Sequence, residues 1–151
     1  MSVSGHNADG TANDARSLVA SADRCLAAWA YERLGAAGIT VCGEAADLEG
    51  AVLLAGELRP DVCLLDVALP GGAMTALHEI RAQAPATRVV MLAASADEPS
   101  LLPAVRAGAS GCMVGTPGGP AFGRALADVM AGHAALPRTL LARLVATLGP
   151  V

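Results

Sequence analysis

The stretch Asp61 to Gly72, DVCLLDVALPGG, decides how this chain is read. Val62 to Leu65 form an apolar run too short for a helix and without polar alternation, the pattern of a strand buried on both faces. Where that run meets a Pro-Gly loop stands one carboxylate, Asp66. A charge is expensive to bury there unless partners satisfy it or a reaction needs it.

Working outward, runs of the same kind recur at intervals of roughly twenty to twenty-five residues. They are SLVA (17–20), ITVCG (39–43), DVCLLD (61–66), RVVMLA (88–93) and GCMVG (111–115). Helical spacing fills the intervals. Asp23 is placed to cap a helix containing Leu26, Trp29 and Leu34. Asp47 is placed to cap a second, with Leu48, Ala51, Ala55 and Leu58 on one face and Pro60 as its stop. Met74, Leu77, Ile80 and Ala84 mark a third helix ended at Pro85. Leu101, Val105 and Ala109 mark a fourth closed by RAGASG (106–111). Phe122, Leu126, Val129 and Met130 mark a fifth closed at Gly132. Strands apolar on both faces that alternate with helices predict an α/β fold. Its parallel sheet is covered on both sides and joined by right-handed crossovers.

With 151 residues, the chain has the size of one domain able to bury a core without disulfides or metal. It is 54% hydrophobic but only 2% aromatic, so Ala, Val and Leu must build that core. The net charge is -4, and the ten basic residues are all arginine, scattered along the chain. That excludes a basic nucleic-acid surface in this chain. Cys25, Cys42, Cys63 and Cys112 show no CxxC spacing and read as free thiols. No signal peptide or membrane-length apolar run stands out, which predicts a cytoplasmic protein with no membrane partner. Met1 to Arg16 is polar and aperiodic, the expectation for a disordered leader in which His6 is solvated.

From Arg59 to Gly132 the sequence resembles the receiver (CheY-like) domain of two-component response regulators, especially the branch with a C-terminal helix-turn-helix output. The resemblance rests on RPDVCLLDVALPGG (59–72), TRVVMLAAS (87–95), AVRAGASGCMVG (104–115) and LADVMAGHAALP (126–137), with support from GITVCGEAAD (38–47). It covers most of the chain from Ser17 onward. It implies a three-layer, doubly wound, flavodoxin-like sheet of five parallel strands in the order 2-1-3-4-5, with an extra C-terminal helix here.

By the same resemblance Asp66 is the phosphoacceptor position, which takes a phosphoryl group from a histidine kinase while Mg²⁺ neutralises the developing charge. The family surrounds it with an acidic pair, a Thr/Ser hydroxyl, a lysine and a switch aromatic. In this chain the acidic pair falls on Ala20 and Ser21, or on Ser21 and Ala22. The Thr/Ser position falls on Ala93, the lysine position on Gly115 and the switch aromatic on Cys112. Asp23 is the one other carboxylate near enough in sequence to join Asp66 as a metal ligand, although helix capping suits it better. With no lysine in the chain, no shift of alignment restores that partner.

The expectation is therefore a degenerate, or pseudo-, receiver: not an enzyme, with no catalytic residue and no resident cofactor. Its Asp66 is expected to be hydrogen-bonded to loop amides. It signals by homodimerisation or protein contact through the last two sheet-flanking helices and the tail. Two alternatives stay open. One is a working phosphoacceptor served by a histidine kinase and Mg²⁺. The other is a small-molecule sensor using the vacated pocket.

Other features are less informative. GTPGGP (115–120) lacks the GxxxxGK[ST] pattern of a phosphate loop and reads as a helix entry. His78 and His133 read as surface or cap residues. In 136–151, Leu140, Leu141, Leu144, Val145 and Leu148 are predicted on one helical face, as a partner surface or as packing on the domain itself. The predicted organisation is a leader (1–16), a receiver-like domain (17–135) and a C-terminal helix or linker (136–151). A DNA-binding output, if one belongs to the protein, lies outside this chain.

Overall fold

The computed structural model describes residues 14–148. Five strands, β1 (Arg16–Ala20), β2 (Thr40–Ala45), β3 (Val62–Asp66), β4 (Arg88–Ala93) and β5 (Gly111–Val114), form one parallel sheet in the order β2-β1-β3-β4-β5. The connecting helices are α1 (Arg24–Ala36), α2 (Leu48–Leu58), α3 (Ala73–Gln83), α4 (Leu101–Arg106) and α5 (Gly119–Met130), followed by α6 (Arg138–Thr147). The fold is the doubly wound receiver architecture that the sequence predicts.

Successive strand residues point to opposite faces, and this sorts the core into two layers. Leu18, Cys63, Leu65, Val89 and Met91 face α2, α3, α4 and α6, where they meet Ala51, Leu77, Leu101 and Leu140. Val19, Leu64, Val90 and Leu92 face α1 and α5, where they meet Ala30, Leu34, Phe122 and Leu126. Fully buried alanines at 30, 51, 55 and 76 let the helices lie close to the sheet. Two of the three aromatic residues, Trp29 and Phe122, meet edge to face with ring centroids 5.5 Å apart and lock α1 to α5.

The helix ends follow local chemistry. Asp23 accepts from the Cys25 and Leu26 amides, and Asp47 accepts from the Gly50 amide, so both act as N-caps. α2 stops where Arg59 turns left-handed (φ 45°) ahead of Pro60. α5 begins inside GTPGGP, with Gly118 at its N-cap. Arginines close several C-terminal ends. The Arg16 guanidinium donates to Leu58 O (2.7 Å), that of Arg81 to Gly108 O (3.1 Å) and that of Arg88 to Met130 O (2.9 Å). Cations there oppose the negative end of the helix dipole.

Two local expectations are corrected. Arg16 belongs to β1, not to a leader, because its amide donates to Asp61 Oδ2 and its carbonyl accepts from the Asp61 amide. Asp14 and Ala15 lead into β1, and Ala15 O accepts from the Thr40 amide; residues 1–13 of the predicted leader lie outside the described residues. Helix α4 ends at Arg106, so Ala109 lies beyond it, where Gly108 (φ 105°) turns the chain into β5. The apolar face of α6 is covered along one edge only: Leu140 is fully buried and Leu144 half-buried, whereas Leu141, Val145 and Leu148 are exposed.

Beyond α5 the chain runs along the free edge of β5. Ala135 accepts from the Cys112 amide (2.8 Å) and donates to Ser110 O (3.3 Å). Gly111 is required by this close approach, since a Cβ there would lie 2.7 Å from Ala135 O. Leu140 then carries α6 onto the α4 side of the sheet, and the Arg143 guanidinium donates to Ala96 O (2.9 Å) in the loop after β4.

Candidate functional site

Because β1 lies between β2 and β3, the strand order reverses at the β1/β3 boundary. The crevice outside their carboxyl ends is where such sheets bind ligands. Asp66 is the last residue of β3 and Ser21 the first after β1, so both border that crevice. Asp66 is buried, with 7% of its surface exposed. Its Oδ2 accepts from the Ser21 hydroxyl at 2.7 Å, and its Oδ1 accepts from the Ala68 amide at 2.9 Å. Ser21 Oγ in turn accepts from the Asp23 amide at 3.0 Å. Among the described residues one loop amide and one serine hydroxyl hold Asp66, where the sequence reading expects loop amides.

The loop that supplies the Ala68 amide is itself pinned. Leu69 donates to Asp66 O, Gly72 to Leu69 O, and Leu48 at the start of α2 to Pro70 O. Gly71 (φ 96°) lets this loop press against Leu48.

Above the carboxylate opens a cleft of about 550 Å³. Asp66, Ala22, Ala93 and Gly115 all line it. Asp23 and Glu98 stand at its rim, and each is already engaged. Asp23 caps α1, and Glu98 Oε2 accepts from the Ser100 amide and hydroxyl. No arginine lines the cleft among the described residues. Gly115 leaves open space where a side chain would stand, with nothing within 4 Å of a built Cβ. Cys112 is buried within β5 and faces the core on the α4 side.

A hard divalent cation asks for six or more oxygens, several of them carboxylate. The crevice offers one buried carboxylate, tied to a serine, and two others already engaged: Asp23 by helix amides and Glu98 by the Ser100 amide and hydroxyl. Among the described residues no three His, Cys, Asp or Glu side chains cluster so as to hold a metal. The donor set does not fit Mg²⁺.

His78 and His133 are both exposed, and neither lines the cleft. Two cleft residues, Glu98 and Thr116, have no role in the sequence reading. Thr116 directly follows Gly115, a weak signal that alignment alone could have raised. Glu98 belongs to a loop whose path no local pattern specifies. Burial pushes the Cys63 and Cys112 thiols up from 9.0 to about 12, with Cys42 adding to the effect at Cys63, so both are inert neutral groups. No described helix is long and apolar enough to cross a membrane.

The model of the response regulator receiver domain family matches residues 18–115, and the chain belongs to that family. It is the receiver domain of a two-component response regulator. It is 34% identical over 111 residues to the DNA-binding transcriptional activator DevR/DosR of Mycobacterium tuberculosis, covering 73% of this chain and 51% of that protein. It is 32% identical over 111 residues, with the same coverage of each, to the nitrate/nitrite response regulator protein NarL of Escherichia coli. The chain thus spans about half the length of these relatives. Among solved structures it is similar to a LuxR-family two-component response regulator from Aurantimonas sp. SI85-9A1. The TM-score is 0.78 at 26% identity, over 91% of this chain and 100% of that one.

Proposed function

We propose that this receiver regulates its output by protein contact, without ordinary aspartyl phosphorylation as the trigger. The single observation that supports this reading is the setting of Asp66. Around it, alanine and glycine line the cleft at the positions of the family's hydroxyl and lysine, and Ser21 occupies a position of the acidic pair. Phosphoryl transfer depends on groups that stabilise charge on the moving phosphoryl oxygens. Such groups act as a unit, so losing several together costs orders of magnitude in rate.

Under this reading the chain is not an enzyme, needs no cofactor and acts in the cytoplasm. Its partner is a second copy or another regulator, and these residues make no direct contact with DNA. Receivers exchange between conformations of the face that meets the partner, and here sequence or another bound group sets that balance.

A second reading keeps Asp66 as a phosphoacceptor served by a histidine kinase, and it draws support from the placement of this carboxylate in an open crevice at the end of β3. Incubation with acetyl phosphate and Mg²⁺, followed by intact-mass measurement, decides between them. The proposed reading expects no adduct. A stoichiometric adduct absent from Asp66→Asn would establish the second reading instead.

A further inference from the structure

The Asp66 cleft combines two properties that are unfavourable together when nothing is bound. Its walls are apolar, built from Leu26, Val67, Leu92 and Ala93, and its floor is a carboxylate that is more than nine-tenths buried. A carboxylate offers about four acceptor positions. Asp66 uses two of them among the described residues, for the Ser21 hydroxyl and the Ala68 amide, and both donors are neutral. Burying an anion without a cationic partner is costly, and the chain brings no arginine to the cleft and has no lysine to bring.

The open space is matched to the missing partner. At Gly115 a built Cβ meets nothing within 4 Å, and Ala22, Ala68 and Ala94 widen the cleft further. Ligands can be sorted by charge. An anion would face Asp66, Asp23 and Glu98 with no cation to offset them. A neutral apolar molecule would strip water from Asp66 without supplying donors. A hydrated divalent ion lacks the oxygen set described above. An ammonium group on a compact apolar body supplies both the charge and the N–H donors, while its body covers the alanine and leucine walls.

From this geometry we infer that the cleft is a binding site for a small organic amine, whose ammonium group pairs with Asp66 in place of the side chain absent at Gly115. This rests on the reading of Asp66 as a carboxylate not used for phosphorylation. A ligand there touches the loops after β3, β4 and β5 together, whose residues Ala68, Glu98 and Thr116 all line the cleft. The loop carrying Glu98 also holds Ala96, to which Arg143 of α6 donates, so an occupied cleft bears on the docking of α6.

The test uses the whole chain and three probes of equal length: n-hexylammonium, hexanol and hexanoate. Calorimetric titration at constant ionic strength is expected to give hexylammonium an affinity at least about tenfold above the other two. Asp66→Asn keeps the shape of the side chain and is expected to remove that preference. In case the variant folds poorly, amide NMR of the unaltered chain provides the second measurement, with shifts expected at Ala68 and Thr116. Equal affinity for the three probes would reduce the cleft to an apolar surface and overturn the inference. So would the absence of binding, or shifts confined to other regions. If hexylammonium fails to bind while acetyl phosphate leaves Asp66 unmodified, only this inference falls. If acetyl phosphate modifies Asp66, the underlying reading falls as well.

Discussion

The Ser21 hydroxyl donates a 2.7 Å hydrogen bond to Asp66 Oδ2, joining the end of β1 to the end of β3 across 45 residues of sequence. It places a neutral donor on a buried carboxylate at the floor of the crevice.

Ser21→Ala should therefore destabilise the fold by about 1–3 kcal/mol, because it leaves one oxygen of a buried carboxylate without its partner. Asp66→Asn keeps one oxygen to accept from the Ala68 amide while its NH2 can donate to Ser21 Oγ, so it should cost less. Urea unfolding of the two variants beside the parent chain checks the order, and a neutral Ser21→Ala would show that water replaces the hydroxyl.

Leu140 is the anchor of α6, fully buried against the α4 side of the core, while Leu141 one residue later is exposed. Leu140→Ala should cost about 2–5 kcal/mol, and Leu141→Ala should stay within about 0.5 kcal/mol of the parent. Equal effects at the two positions would mean that α6 does not dock in this way in solution.

Glycine substitutions should have opposite signs at two sites. Gly71 has φ 96°, and an added Cβ would lie 2.6 Å from Leu48 Cβ, so Gly71→Ala should destabilise by more than about 1 kcal/mol. Gly123 sits inside α5 with nothing within 4 Å of a built Cβ. Gly123→Ala should stabilise by about 0.5–1 kcal/mol. Thermal denaturation of both variants reads the signs directly.

Stability should fall in alkali between pH 9 and 12. Cys63 and Cys112 stay protonated in the folded chain up to about pH 12 but lose their protons from 9.0 upward once unfolded. The unfolded state then binds fewer protons, so the stabilisation present below pH 9 is lost as pH rises, by at most about 1.4 kcal/mol per pH unit for each thiol. Denaturant melts across this range, repeated with Cys63→Ala and Cys112→Ala, should show a shallower decline in the variants. At pH 8 a thiol reagent should modify exposed Cys25 well before either buried thiol.

Arg88→Met keeps the apolar stem but removes the donor to Met130 O at the end of α5. It should cost about 0.5–1.5 kcal/mol. Amide hydrogen exchange should rise first in the last turn of α5, and uniform exchange along the helix would argue against a capping role.

Much of the fold was legible because its signals are local. The strands show as doubly apolar runs, Asp23 and Asp47 lie where helix caps belong, and Pro60 and Pro85 mark stops. The placement of α6 was less legible, since Leu140 and Leu141 are adjacent, equally apolar and oppositely buried. Glu98 was invisible for a related reason: its approach to the cleft depends on a loop path, not on any periodic pattern.

The sequence by itself determined what the crevice lacks, for no fold can supply a lysine the chain does not contain or a hydroxyl at Ala93. It also determined the order of strands and helices along the chain, because each reports its own periodicity. Only the tertiary structure decided that Ser21 meets Asp66, that the cleft stays open at Gly115 and that α6 covers the α4 side. Those facts depend on which strands become neighbours and in what register, and such long-range contacts are settled by packing the whole core.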